Sequence, residues 1–238
     1  MSVNSARDAI LRDVRRALGR DERTAPPLFE VPASTSAQLE QLVSQIRDNC
    51  ERQRDQLIER FESESIRVGV RFYRAASAEA AFQHIEAVCK AREAKRIVGW
   101  QAQVIADVGL RERLQERGVE FLSETNGREF IRTAEAADIG ISGVDYALAD
   151  TGTLVLLACK GQARSISLLP PVHIALVRPR QILSGLSDLF PILRADAKSS
   201  DLSSAITFVT GPSRTADIEL TLVVGVHGPQ QLHVLLLE

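Results

Sequence analysis

The residues best suited to chemistry lie in the segment 210–229, which contains two glycine turns. Gly211 forces a turn directly after the apolar run 205–209, which is typical of a buried strand. The next residues place hydroxyls, backbone N–H groups and a fixed positive charge in a row: Ser213, Arg214 and Thr215. This combination predicts an anion cradle at the end of a strand. A simple turn cap is the alternative, but a cap does not require an arginine.

Two acidic residues and a histidine complete this segment. Asp217 and Glu219 would point to one side of a strand, where Arg214 could be their ion-pair partner. His227 lies in the second glycine turn, and its setting suits acid–base chemistry because imidazole titrates near neutral pH. A histidine that closes the turn through hydrogen bonds is the alternative, and the sequence leaves both open.

A second candidate group joins two apolar strands and consists of Asp150, Thr151, Gly152 and Thr153. Aspartate and glycine are common turn residues, so one interpretation is a plain hairpin turn. The other is that the Asp150 carboxylate projects from a strand end into a cleft, with two threonine hydroxyls beside it. No second copy of the motif exists, so an aspartic protease dyad is not supported.

A third candidate is Arg164, which follows Gly161 and precedes the Pro170-Pro171 pair. An arginine at this point could clamp a carboxylate or phosphate through two parallel hydrogen bonds. The alternative is an exposed arginine on a surface loop. His173 begins the next apolar run and is interpreted as a packed histidine.

The elements that position these residues follow from hydrophobic periodicity. Long helical patterns at 36–61 and 78–91 alternate with short apolar runs up to about residue 137, which predicts an α/β domain with a largely parallel sheet. From Gly140 onward strands dominate, and only 180–193 is typical of a helix. An amphipathic helix at 3–19 and a proline-containing linker form an N-terminal arm, so we predict an arm, 1–34, and one α/β domain, 35–238.

Composition limits the class of protein. The net charge is −2 with lysine and arginine spread along the chain, which argues against nucleic acid as a partner. No run of about 18 apolar residues or apolar signal core is present, so we expect a cytoplasmic chain without a membrane span. The three cysteines are scattered and form no C-x-x-C motif, which predicts reduced thiols and no metal or iron–sulfur site.

Several segments, in order, resemble the lactate-utilisation protein C family, which is built on the LUD domain. They are Gly140-Ile-Ser-Gly-Val-Asp145, Ala149-Asp-Thr-Gly-Thr-Leu154, Ser167-Leu-Leu-Pro-Pro-Val-His173, Thr210-Gly-Pro-Ser-Arg-Thr-Ala-Asp-Ile-Glu219 and Gly225-Val-His-Gly-Pro229. The resemblance is strong over the second half of the chain and looser in the middle.

The resemblance implies a three-layer α/β fold with a mostly parallel or mixed sheet, similar to that of sugar-phosphate isomerases, CoA transferases and formyltetrahydrofolate cyclo-ligases. It also implies a cytosolic component of a bacterial system that oxidises L-lactate to pyruvate. Iron–sulfur clusters are then expected in the partner proteins, with no cofactor in this chain. Asp150 stands where the family has glutamate or aspartate, which weakens an analogy with the glutamate nucleophile of CoA transferases.

Three functional hypotheses follow, and the sequence leaves open whether the chain is an enzyme. The leading one is a non-redox subunit that binds a small carboxylate or phosphate-like ligand, with His227 and Asp150 as catalytic candidates. The ligand-binding candidates are Thr151, Gly152, Thr153, Arg164, Gly211, Ser213, Arg214, Thr215 and Asp217. The alternatives are a stand-alone enzyme resembling a CoA transferase or isomerase, and an assembly subunit for the iron–sulfur partners. Self-association into a homo-oligomer is left open.

Overall fold

The computed structural model describes residues 9, 12–14, 16–17, 36–123, 127–159, 161–196, 205–216, 222–225 and 227–238. For residues 127–128, 215–216 and 222–224 the description covers the backbone alone. The chain divides into two compact units, Met1–Gln38 and Leu39–Glu238. The described residues of the predicted N-terminal helix are helical, whereas the linker lies outside the described residues. The boundary at residue 35 stays a prediction.

The helices of the described residues vary from one turn to more than four turns. They are α1 Ser36–Arg52, α2 Arg54–Arg67, α3 Ala78–Arg92, α4 Gln103–Asp107, α5 Leu110–Gln115, α6 Gly127–Glu135, α7 Ser165–Leu168 and α8 Leu186–Asp196. Local chemistry sets the bounds of α3. The Ser77 hydroxyl accepts a hydrogen bond from the Ala80 amide at 3.1 Å, and Glu93 ends the helix in the left-handed region at φ 51°.

The strands of the described residues are short. They are β1 Arg71–Ala75, β2 Arg96–Gly99, β3 Glu120–Ser123, β4 Ile139–Gly143, β5 Tyr146–Leu148, β6 Thr153–Leu157, β7 Val172–Val177, β8 Ile182–Leu183, β9 Ile206–Val209, β10 Arg214–Ala216, β11 Leu222–Val224 and β12 Gln231–Leu237.

The main sheet is six-stranded and parallel throughout, in the order β1-β12-β7-β4-β2-β3. Every residue of the central strands β4 and β7 is buried, as expected for a parallel sheet covered on both faces. Helix α7 covers one face so closely that the carbonyl oxygen of Ile166 occupies the space that a Cβ on Gly140 of β4 would need. On the other face His84 of α3 contacts His233 of β12. The predicted three-layer α/β class is confirmed.

A second sheet has the order β8-β5-β6-β9. The β5–β6 and β6–β9 pairs are antiparallel, while β5 and β8 are parallel. A further antiparallel pair joins β10 and β11 within the 210–229 segment. The predicted change of character after Gly140 is therefore real, although β7 and β12 return to the main sheet.

Three details of the prediction are wrong. Residues 36–61 do not form one helix, because a turn at Gln53 interrupts the helix and separates α1 from α2. The predicted helix 180–193 begins only at Leu186, since β8 takes up the preceding residues by pairing with β5. Strand β4 was not predicted at all. Parallel pairing partners come from distant parts of the chain, so local periodicity does not reveal them.

Two histidines lie inside the main sheet. His173 is 0% exposed, and its Nε2 is 2.8 Å from the Ser142 hydroxyl. Because His173 is in register with Leu232, it lies on the opposite face of the sheet from His233. Burial lowers the pKa of each imidazole to about 4, and neighbouring basic groups lower it further: His233 in the case of His173, and His84, Arg71 and Arg92 in the case of His233. Both histidines are therefore neutral in the folded protein at neutral pH.

These histidines make the fold sensitive to acid. The unfolded chain takes up a proton near pH 6.5, whereas folded His173 does so only near pH 4. The unfolding free energy that comes from keeping His173 neutral in the core is thus fully present above pH 6.5. It decreases below that pH and is lost as the pH falls through about 4. We expect His173→Gln to reduce the acid-dependent loss of unfolding free energy by up to about 3 kcal/mol, measured by urea denaturation at pH 7 and pH 4.5. His227→Gln, at an exposed turn, is the control, and identical losses in all three proteins would contradict the prediction.

Candidate functional site

The last turn of helix α2 is the surface on which both predicted motifs pack. A Cβ on Gly152 would lie 2.5 Å from the Ser65 amide nitrogen, so only glycine fits against this helix. A Cβ on Gly211 would lie 2.8 Å from the Val68 carbonyl oxygen. Both glycines have positive φ, at 65° and 93° respectively. The two motifs are therefore neighbours, held one helical turn apart on α2.

A chain of hydroxyl groups connects the motifs directly, and we call Asp150, Thr151, Thr153 and Thr210 the threonine cluster. The Thr151 hydroxyl donates to Asp150 Oδ1 at 3.2 Å and lies 2.7 Å from the Thr153 hydroxyl. Thr153 Oγ1 is in turn 2.7 Å from Thr210 Oγ1. Thr153 is 4% exposed, while Thr151 and Thr210 reach the surface. The cluster therefore crosses the interior between two exposed ends.

The directions of these hydrogen bonds follow from Asp150. An ionised carboxylate only accepts, so Thr151 uses its single proton on Asp150. Thr151 must then accept from Thr153, and Thr153 must accept from Thr210. Every hydroxyl proton points towards the carboxylate. As a result, Thr210 Oγ1 offers only acceptor lone pairs to anything bound outside.

A turn of the chain packs against Asp150. The backbone amide of Asp150 donates to the Ser184 carbonyl at 3.0 Å. A Cβ on Gly185 would lie 2.4 Å from Asp150 Oδ2, so the absence of a side chain there makes room for the carboxylate. Sequence reasoning missed Gly185, although a Ser-Gly pair after an apolar run is a turn signal.

The Arg214 guanidinium lies at the C-terminal end of α2. Its Nη2 donates to the Val68 carbonyl oxygen at 2.9 Å, and a Cβ on Gly69 would lie 2.5 Å from the same nitrogen. The last carbonyls of a helix lack partners within the helix, and a positive charge there is favourable. Because the same Val68 oxygen approaches Gly211, the guanidinium lies beside the turn that follows Thr210. Arginine has five N–H donors, and the Val68 bond uses one of them.

The turn that carries His227 packs against Ser213. The Ser213 amide donates to the Pro229 carbonyl at 2.9 Å, and the Gly225 amide donates to the Ser213 carbonyl at 3.0 Å. A Cβ on Gly228 would lie 3.2 Å from the Ser213 Cβ. The His227 side chain is exposed. The backbone of Ser213 is thus occupied in joining the two glycine turns.

The remaining candidates are placed differently. Arg164 is exposed and precedes α7, and the adjacent Ala163 carbonyl accepts from the Trp100 indole at 3.2 Å. It is therefore attached to the end of β2 and not to the threonine cluster. The Thr215 backbone pairs with Val223, but its side chain and the whole of Asp217 lie outside the described residues.

The cluster lies at an unexpected place in the fold. Ligand sites in parallel α/β sheets usually lie at the carboxyl ends of strands. Here α2 leads into the amino end of β1, and the 210–229 segment leads into the amino end of β12. Asp150 and the threonines belong to the ends of β5, β6 and β9 in the second sheet. The site is therefore built by the second sheet and a helix end.

No group of three or more histidine, cysteine, aspartate or glutamate side chains in the part of the chain that the structure describes could hold a metal ion. No helix among the described residues is long and apolar enough to cross a membrane.

This fold and these motifs define a known class of protein. The LUD domain model matches residues 58–237, and the chain belongs to the LUD domain family. It is 35% identical to Lactate utilization protein C of Halalkalibacterium halodurans, over 94% of each chain. It is 33% identical to the uncharacterized protein YkgG of Escherichia coli K12, over 98% of each chain. The predicted membership in the lactate-utilisation protein C family is confirmed.

A solved structure supports the fold. The crystal structure of a DUF162 family protein from Deinococcus radiodurans superimposes with a TM-score of 0.54 at 21% identity. The match covers 78% of this chain and 98% of that protein. At this level of identity the likeness establishes the shared α/β architecture.

The contact of Gly152 with α2 can be tested by substitution. We expect Gly152→Ala to lower the unfolding free energy by more than about 3 kcal/mol, because left-handed strain adds to overlap with the helix backbone. Gly118→Ala is the matched control, since Gly118 also has positive φ but a Cβ there would meet nothing within 4 Å. The control is expected to lose about 1 kcal/mol in the same denaturation experiment. Equal losses would contradict the close packing of this turn on α2.

Proposed function

We propose that this chain is a non-redox component of a cytoplasmic system that oxidises L-lactate to pyruvate, and that it binds a small anion of the 2-hydroxy acid type. Family membership supports the proposed role in lactate oxidation, because relatives aligned over nearly the whole chain are named Lactate utilization protein C. The redox chemistry belongs to iron–sulfur partner proteins, and this chain carries no cofactor and binds no nucleic acid. Self-association is compatible with this role.

The directed hydroxyl chain carries the proposal about the ligand. The Thr210 hydroxyl offers lone pairs to an outside donor, while the Arg214 guanidinium beside Gly211 offers N–H groups and positive charge. A 2-hydroxy acid matches both groups, since its hydroxyl donates and its carboxylate accepts. A 2-keto acid presents only acceptors to Thr210. The exposed His227 in the adjoining turn is the candidate proton acceptor or donor.

Titration calorimetry with lactate, pyruvate and phosphate tests this assignment. We expect lactate to bind more tightly than pyruvate to the wild-type chain, and Arg214→Ala to weaken binding of either by about tenfold or more through loss of a charge-assisted hydrogen bond. Thr210→Val should abolish the preference for lactate while leaving pyruvate binding unchanged. Thr207→Val, in strand β9 just before Thr210, is the matched control. Equal affinity of wild type and Arg214→Ala would exclude the role of Arg214.

A second candidate function is a stand-alone enzyme resembling a CoA transferase or isomerase. The observation that favours it is the half-buried Asp150 carboxylate at the end of a hydrogen-bonded relay, which is the arrangement of a base or nucleophile.

The variant Asp150→Asn separates the two functions. If Asp150 is a base or nucleophile, we expect the variant to lose at least about a hundredfold in turnover on a panel of CoA esters and sugar phosphates. The shape of the side chain is retained, so lactate binding by calorimetry reports whether the site is still formed. Turnover equal to that of the wild type, or no turnover by either protein, would eliminate the enzyme hypothesis.

A further inference from the structure

A groove of about 500 Å³ runs between helix α3 and the amino ends of strands β1 and β12. Its apolar wall comes from the C-terminal half of α3, where Ala87 and Ala91 leave space beside the sheet. Its polar wall is formed by Arg71, Arg92, Gln231 and His233. None of these four residues is among the candidates identified from the sequence.

Two guanidinium groups face this groove without a negative partner. Arg71 is exposed and Arg92 is half-buried, and within the described part of the chain neither forms an ion pair with a carboxylate. Arg71 Nη1 donates to Gln231 Oε1 at 3.1 Å, which restrains this guanidinium against the sheet. The neighbouring Arg74, in contrast, is paired with Glu62. The groove therefore carries positive charge that no described carboxylate neutralises.

The floor of the groove contains a buried nitrogen that lacks a partner. His233 is 3% exposed, and its Nε2 makes no hydrogen bond, whereas its Nδ1 lies 3.4 Å from His84 Nε2. A buried polar atom without a partner is destabilising by about 1–3 kcal/mol, so such atoms commonly mark a site for water or a ligand. If His84 donates to Nδ1, the His233 Nε2 carries a proton and becomes a donor into the groove.

We propose that this groove is a second anion-binding site, in which Arg71 and Arg92 hold a carboxylate or phosphate group and His233 Nε2–H donates to it. Bound oxygen atoms satisfy the unpartnered imidazole nitrogen and neutralise the two guanidinium groups. The space beside Ala87 and Ala91 accommodates the body of a small organic anion. This site is separate from Arg214 and the threonine cluster and does not depend on the function proposed for them.

An anion in the groove selects one tautomer of His233. With an anion in place, His233 donates from Nε2 and accepts at Nδ1 from His84, so both ring nitrogens of His233 have a partner. The Tyr73 ring stacks on His84 with centroids 4.5 Å apart, which keeps the His84 imidazole in position. An anion therefore gives His233 a complete set of partners, which the free groove does not.

Binding of inorganic phosphate and of acetate to the full chain tests this site. We expect saturable binding of at least one probe, observed by calorimetry and by a shift of the His233 imidazole nitrogen resonances. Which probe binds identifies a phosphate or a carboxylate ligand. The double variant Arg71→Gln, Arg92→Gln should weaken binding by at least about tenfold. Both side chains are at or near the surface, and circular dichroism checks that the variant is folded.

Two controls separate this site from the rest of the molecule. Arg74→Ala removes an arginine from the same strand but from its opposite face, and it should bind the probe as the wild type does. Arg214→Ala should likewise leave the His233 resonance shift intact. Full affinity in the double variant would overturn the proposal, and so would the absence of saturable binding of both probes by the wild type. Binding lost only in Arg214→Ala would assign the anion to the threonine cluster instead.

Discussion

The last turn of helix α2 ends in carbonyl oxygens that the helix itself cannot satisfy, and the geometry of the candidate site depends on how the chain covers them. Arg214 donates to one of these oxygens, and Gly211 approaches the same atom closely. One turn earlier, Gly152 packs against the backbone of the helix. Residues more than 50 positions apart are thereby brought onto one helix end, and the hydroxyls of Thr153 and Thr210 meet as a consequence.

This arrangement combines a negative group, the Asp150 carboxylate, with a positive one, the Arg214 guanidinium, without a direct contact between them among the hydrogen bonds of either group. Asp150 is a negative group, and an anion bound directly against it would be repelled. In the threonine cluster the hydroxyls of Thr151 and Thr153 lie between the carboxylate and Thr210. The carboxylate therefore acts by orienting hydroxyl dipoles, and the positive charge beside the Thr210 end comes from Arg214.

The two anion sites inferred for this protein use the fold in different ways. The threonine cluster is formed by loops of the second sheet, so its geometry depends on turns that only glycine permits. The groove over His233 is formed by regular elements, a helix and two strand ends of the main sheet. Regular elements position side chains more rigidly than loops do. The groove also contains the neutral, buried imidazole of His233. Protonation of this imidazole at low pH would destabilise the folded state, because burial disfavours the charged form.

Much of the architecture was predictable from local patterns. Helix α3, with Ser77 at its start, and the short apolar strands β2, β7 and β12 follow from periodicity and capping. The motif glycines and Arg214 were also identified, and their order along the chain indicated the family. Strand β4 and the short strand β8 were missed, because each is defined by parallel partners that are distant in sequence.

The sequence by itself determined the fold class, the family and the two glycine-containing motifs, because these depend on residue type and local spacing. Only the tertiary structure decided which groups meet. It brought Thr210 to Thr153, turned Arg214 onto the Val68 carbonyl and attached Arg164 to another part of the fold. It also placed Arg71 and Arg92 around His233. The physical reason is that these contacts depend on strand register and on helix packing, which act between segments far apart in the chain.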